Sequence, residues 1–196
     1  MMLACSVSYL DKSYGQGHVK ITYDVSAPLG NTMDFVGETS FRGFSFEAGM
    51  NLNDNFALGI KSGLHSFYES LNKDTYTDNN VTIYGKQFRY INSIPILLTA
   101  SYFFRPDAGV SPYLTVGAGA YSFQRRIDLG LYNATNDFVW NFGLQPEVGM
   151  LFSLNKSLKL NLGARYNYIL ENESISDQQY VSFNVGLVFG GPVRTE

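Results

Sequence analysis

The stretch Leu158-Lys159-Leu160-Asn161-Leu162-Gly163-Ala164-Arg165-Tyr166-Asn167-Tyr168 decides the architecture. Its even positions are all apolar or aromatic; its odd positions, Lys159, Asn161, Gly163, Arg165 and Asn167, are polar or glycine. Successive side chains of a β-strand point to opposite faces, so this segment reads as a strand with one greasy side and one polar side.

The same two-sided pattern recurs along the chain. Near the start, Val19, Ile21, Tyr23 and Val25 alternate with Lys20, Thr22, Asp24 and Ser26. At the end, Val181, Phe183, Val185, Leu187 and Phe189 alternate with Ser182, Asn184 and Gly186. Between them Phe44, Phe46, Ala48 and Met50 oppose Glu47, and Phe56, Leu58, Ile60 and Leu64 oppose Lys61 and His65. Phe88, Tyr90, Ile94, Ile96, Leu98, Tyr102 and Phe104 oppose Arg89, Ser93, Thr99 and Ser101. Leu114, Val116, Ala118 and Ala120 oppose Tyr113, Thr115, Gly117, Gly119 and Arg125. Phe138, Trp140, Phe142, Leu144, Val148 and Met150 oppose Asn141, Gly143, Gln145, Glu147 and Gly149. The total is eight strands.

The connections then fix the topology. Long segments at 28–40, 69–86, 127–137 and 171–179 alternate strictly with short ones at 53–55, 105–111 and 155–157. A soluble sandwich has no reason to sort its loops by length, whereas an outer-membrane barrel does, with tight turns on the periplasmic side and long loops outside. The expected fold is therefore all-β: a closed, eight-stranded, antiparallel up-and-down transmembrane β-barrel over 18–190. Residues 1–17 form a lead-in and 191–196 a tail, and both termini are expected to be periplasmic. The lead-in, which contains the sole cysteine, Cys5, reads as the remnant of a trimmed signal peptide, with a lipoprotein cleavage site at Cys5 as the alternative.

Composition agrees. Of 196 residues only 16% are charged, against about a quarter in soluble domains, while 15% are aromatic and 19 are glycine. The net charge of −3 argues against a nucleic-acid partner, and one cysteine excludes an internal disulfide framework. The longest apolar run, 94–104, is broken by Pro95, Thr99 and Ser101 and is too short for a membrane-spanning helix.

Which face points where follows from chemistry. The apolar face is almost free of charge, with Arg42 near a strand end as an exception, as lipid contact requires. The other face carries Lys20, Asp24, Glu47, Lys61, His65, Arg89, Arg125, Glu147, Lys159 and Arg165, which is no dry core but suits a narrow polar lumen. Unpaired buried charge is costly, so Glu47 and Glu147 are each expected to contact a lumen cation. Aromatics are expected to ring both water–lipid boundaries. Phe56, Tyr102, Phe104, Phe152 and Phe189 fall at the short-turn end, and Phe88, Tyr90, Phe138, Trp140, Tyr166, Tyr168 and Tyr180 toward the long loops.

With these alternating strands, the segments Thr39-Ser40-Phe41-Arg42-Gly43-Phe44-Ser45, Ser93-Ile94-Pro95-Ile96-Leu97-Leu98 and Pro112-Tyr113-Leu114-Thr115-Val116-Gly117-Ala118-Gly119, and the aromatic last strand, nearly the whole chain resembles the small OmpA/OmpX-like outer-membrane β-barrel proteins of Gram-negative bacteria. The resemblance implies an outer-membrane location among lipid and lipopolysaccharide. It also implies handling by the outer-membrane insertion machinery, which reads a terminal aromatic. Phe189 matches that position, although 190–196 follow it.

Catalysis needs a serine polarised by a histidine. The two histidines are His18 and His65; His65 points inward while its neighbour Ser66 points to lipid, and His18 lies at the opposite end. No His, Cys or carboxylate spacing suggests zinc or iron, and Gly117-Ala118-Gly119 lacks the rest of a dinucleotide fingerprint. Neither catalytic residues nor a cofactor is expected. Asp74, Asp78, Glu171, Glu173 and Asp177 make two loops acidic, as solvated loops often are. The expected function is non-enzymatic, either structural in the envelope or a surface interaction through the long loops with an extracellular ligand or host surface. The alternatives are a narrow channel or carrier for a small, even hydrophobic, molecule, and a lipid-modifying enzyme.

Overall fold

The computed structural model describes residues 17–78, 81–106, 108–129, 132–135, 137–172 and 175–190. The expected lead-in up to residue 16, with Cys5, the tail 191–196 and Glu173 lie outside the described residues. The elements are β1 (Gly17–Leu29), α1 (Gly30–Phe35), β2 (Ser40–Asn51), β3 (Phe56–Asp78), β4 (Val81–Phe103), β5 (Val110–Leu129), β6 (Tyr132–Thr135), β7 (Val139–Ser153), β8 (Leu158–Ile169) and β9 (Gln178–Phe189). All pairings are antiparallel. Following the wall, β4, β3, β2, β1, β9, β8, β7 and β5 are consecutive neighbours, and β4 pairs again with β5, so the sheet closes on itself with eight strands. The short β6 pairs with the far end of β5, residues 126–129, and stands above the wall.

Two of the short turns share one local device. The Asn53 side-chain oxygen accepts from the backbone N–H of Asn55 (2.9 Å) and Phe56 (2.8 Å), and that of Asn155 accepts from Ser157 N–H at 2.9 Å. Asparagine mimics a backbone turn in this way, which is why such a short segment reverses the chain.

The other end departs from the sequence reading. The expected loop 69–86 is mostly sheet: β3 and β4 run on as a ribbon to Asp78 and Val81, with an irregularity between Leu71 and Asp74. Residues 69–78 are mostly polar at odd and even positions alike, so the sequence carries no period-2 signal there. The expected loop 127–137 likewise carries the β5–β6 hairpin. In 28–40, β1 continues to Leu29 and Gly30, at φ +50°, turns the chain into α1.

The two faces of the wall are chemically opposite. Outward Ile21 (49% exposed), Phe44 (54%), Leu98 (69%) and Phe183 (61%) contrast with inward Lys20 (6%), Glu47 (2%), Lys61 (1%) and Arg165 (1%). A continuous apolar belt of this kind is far more than a water-facing protein tolerates, and it matches the hydrocarbon layer of a bilayer.

The interior is layered. Polar side chains fill its middle, with a small apolar cluster of Tyr113, Leu151 and Val188 nearer the short turns. Above them Val36, Phe67, Ile91, Leu97, Tyr121, Phe123, Ile169 and Tyr180 make a buried apolar cluster, with Phe35 and Ile175 packed against it. Val36 comes from the connection after α1, so the first long loop folds down onto the barrel mouth.

Candidate functional site: the closed lumen

Register builds the charged centre. Lys20, Glu47 and Lys61 are successive partners on β1, β2 and β3, while Glu147 and Arg165 are partners on β7 and β8. Because all five positions have inward parity, the two rows face each other inside the lumen. Lys20 lies 3.0 Å from Glu47 and 3.2 Å from Glu147; Lys61 lies 3.2 Å from Glu47 and 2.6 Å from Glu147. Arg165 reaches Glu147 through Nε at 3.2 Å and Asp24 through Nη1 at 3.2 Å. Within this cluster three carboxylates meet three cations, so its net charge is zero.

Neutral donors complete it. Tyr113 donates to Glu147 at 2.6 Å, Thr22 donates to Asp24 at 3.0 Å, and Ser45 also donates to Asp24. Lys61 donates to the Gln145 side chain at 3.1 Å, and Gln145 donates to Asn167 at 2.6 Å, carrying the network upward. Such groups are costly to bury singly and tolerable only when each meets its partners.

Of the ten residues expected in the lumen, the structure thus gathers Lys20, Asp24, Glu47, Lys61, Glu147 and Arg165. His65 joins at the upper edge, with Nε2 3.9 Å from Asp24, Nδ1 3.2 Å from the Ser26 hydroxyl and its ring 5.3 Å from that of Tyr180. Arg89, Arg125 and Lys159 are elsewhere. Arg89 and Arg125 lie over the Phe35 ring, at 5.3 and 4.9 Å, and Arg89 donates to the Phe35 carbonyl at 3.2 Å. Lys159 is at the short-turn end, donating to the Pro106 carbonyl at 3.4 Å.

The adjacent Ser66 has the opposite parity to His65, but Ser26 meets His65 from β1. Ser26, His65 and Asp24 are all fully enclosed, with at most 1% exposed. Ser26 also bonds Ser182 at 2.8 Å, and Asp24 is engaged by Arg165, Thr22 and Ser45. Tyr113, Gln145 and Asn167 were absent from the expected network. Their inward parity was the available signal.

Tyr180, expected in the outer aromatic ring, is instead completely buried in the lumen and hydrogen-bonded to Ser93 at 3.2 Å. The reason is parity: Val181 and Phe183 face outward, so the residue before them faces in. On the outside, Phe56, Tyr102 and Phe104 pack in series at the short-turn end, 4.9 and 5.0 Å apart. Toward the long loops Tyr68 packs on Tyr90 at 5.1 Å and on Phe88 at 6.2 Å, and Tyr166 stacks on Tyr168 at 6.4 Å. Phe138, Trp140, Phe152 and Phe189 also lie on this outer surface.

Below the charged centre a small cavity, open in part to solvent, enters from the short-turn end beside His18, Asn51, Tyr113 and Lys159. Lys20 and Glu47 form its inner wall. Among the described residues, no cluster of His, Cys, Asp and Glu is arranged to hold a metal ion.

The outer membrane protein beta-barrel domain family matches residues 1–189. Among solved structures, Neisserial surface protein A superposes with TM-score 0.60 at 19% identity, covering 88% of this chain and 96% of that one. Ail, the attachment invasion locus protein of Yersinia pestis, gives 0.53 at 13% identity, covering 90% and 98%. OprG of Pseudomonas aeruginosa gives 0.53 at 11% identity, covering 91% and 97%. At these identities the likeness is one of fold. No curated protein matches the chain.

Proposed function

Since the chain belongs to the outer membrane protein beta-barrel domain family, we propose that it is a non-enzymatic outer-membrane barrel with a sealed lumen, acting in the envelope and through its outer loops. One observation carries this reading: Glu147 is held by Lys20, Lys61 and Arg165 from three different strands, which stitches the wall together through its own interior. An eight-stranded barrel is only just wide enough for side chains, so this cluster fills it. The apolar layer and α1 add a second seal above. The sorted connections support a periplasmic short-turn end, with lipid and lipopolysaccharide around the belt and the insertion machinery as the route in.

Surface interaction through the long-loop end is the favoured role. Ail of Yersinia pestis, which shares the fold, has been solved in complex with a heparin analogue, sucrose octasulfate, which supports a surface-ligand role for this chain. Catalysis is disfavoured because Ser26 and His65 meet where no lipid substrate reaches them. A planar-bilayer recording tests the reading: the folded barrel should show no sustained large conductance, and a stable open channel would overturn it. Lipid hydrolysis lost on His65→Ala would establish the enzyme instead.

The apolar upper layer favours a second reading, passage of a small hydrophobic molecule admitted when the first loop lifts. Faster entry of a small apolar dye into vesicles carrying the barrel than into empty ones, with no conductance, would select it.

A further inference from the structure

The outward cations at the long-loop end are gathered on one side of the barrel. Arg42 on β2 lies 5.5 Å from the Tyr68 ring, Lys86 on β4 lies 5.7 Å from Phe88, and Arg126 on β5 lies 5.5 Å from Tyr90. These rings pack against one another, Tyr68 on Tyr90 and Tyr68 on Phe88. Register makes them one surface: Tyr68, Tyr90 and Arg126 form one row across β3, β4 and β5, and Ser70, Phe88 and Asp128 form the next. Arg42, Lys86 and Arg126 are all exposed. Asp128 grips Arg126 at 2.6 and 2.8 Å and fixes its orientation, so the net positive charge comes from Arg42 and Lys86.

Among the described residues the opposite side has no such feature. Residues 127–155 and 166–190 contain no Lys or Arg, and the exposed charges among the described residues there at the long-loop end are Asp137 and Glu171. An outer aromatic row topped by cations sits at the level where headgroups begin. Four adjacent strands at about 4.8 Å spacing spread the cations over roughly 14 Å, more than one phosphate needs. Aromatic faces beside them suit sugar rings.

We propose that the outer wall formed by Arg42, Tyr68, Lys86, Phe88, Tyr90 and Arg126 is a binding site for lipid A, the phosphorylated glycolipid of the outer leaflet. The inference rests on the outer-membrane reading above. Arg42 and Lys86 meet the phosphates, Arg126 supplies a fixed guanidinium edge, and the rings carry the sugar and the first methylenes of the acyl chains.

The test is native mass spectrometry of the folded barrel in detergent, titrated separately with lipid A, dephosphorylated lipid A and phosphatidylglycerol. Wild type should retain lipid A well above the other two. Arg42→Gln with Lys86→Gln should weaken retention about fivefold for each charge removed, whereas Arg105→Gln with Lys156→Gln, an equal charge loss at the short-turn end, should leave it unchanged. Equal retention of dephosphorylated lipid A overturns the proposal without any variant. So does equal retention by the double variant, and so does equal retention of phosphatidylglycerol, which would mean that any anionic lipid serves. Heat-modifiable gel migration after refolding into vesicles is read in parallel. A wild type that never shows it refutes the membrane reading itself, and one that shows it but lacks lipid A selectivity refutes this site alone.

Discussion

Lys61 on β3 donates to Glu147 on β7 at 2.6 Å, and the two strands are not neighbours in the wall. The contact therefore crosses the lumen and ties together parts of the sheet that no backbone hydrogen bond joins. Glu147→Ala should leave the buried Lys20, Lys61 and Arg165 sharing too few carboxylates. Loss of one partner of a buried pair costs about 3–5 kcal/mol, and urea unfolding in lipid vesicles should show it. Lys61→Met combined with Glu147→Leu should recover part of that loss, because an apolar pair has no charge left to satisfy.

The outer belt makes a different demand. Ile96 on β4 lies midway between Tyr102 and Tyr90 and faces outward, 48% exposed. Ile96→Arg should cost about 2–4 kcal/mol in bilayer-folded protein, the figure for a cation at mid-membrane. Ala57→Ser, an inward change near the short turns, should cost clearly less. Equal costs in the same unfolding assay would contradict the assignment of faces.

Alternation made the strands, the faces and the order of the connections legible, because lipid permits almost no polar residue on one side. The charged centre was half legible: parity placed Lys20, Glu47 and Glu147 inward, but which rows meet across the lumen depends on strand stagger, which no local pattern records. Arg89 and Arg125 had the right parity and other neighbours, since both guanidinium groups lie over the ring of Phe35, the last residue of α1. The inward apolar residues Phe67, Ile91, Phe123 and Ile169 also escaped notice. An apolar residue on a polar face looks like noise until α1 and Val36 arrive to cover it.

Lumen glycines mark where a large ring is laid down. A Cβ on Gly149 would sit 2.6 Å from the Tyr113 ring and 2.6 Å from the Leu162 carbonyl, and one on Gly163 would sit 2.8 Å from the Tyr113 hydroxyl. Gly149→Val should therefore push Tyr113 off Glu147 and destabilise the barrel by about 1–3 kcal/mol, the usual cost of overpacking. Gly85 has nothing within 4 Å of such a Cβ, so Gly85→Ala should stay within about 0.5 kcal/mol of wild type. Parallel melts of the two variants check both.

The last prediction concerns the lid. Phe35 has guanidinium groups at 4.9 Å from Arg125 and 5.3 Å from Arg89, and the same loop is tied down by Gly37 N–H to Glu69 at 3.0 Å and Thr32 to Gln178 at 3.0 Å. Each cation–π contact contributes about 0.5–1 kcal/mol or somewhat more when desolvated. Phe35→Ala should thus raise opening of residues 30–37 about tenfold, seen as faster amide exchange there. Exchange in β1, β2 and β3 around Lys20, Glu47 and Lys61 should not change, because the charged centre lies below the apolar layer and does not lean on the loop. Faster exchange throughout the barrel would mean that the two layers unfold as one unit and that α1 is part of the wall's stability rather than a cover over it.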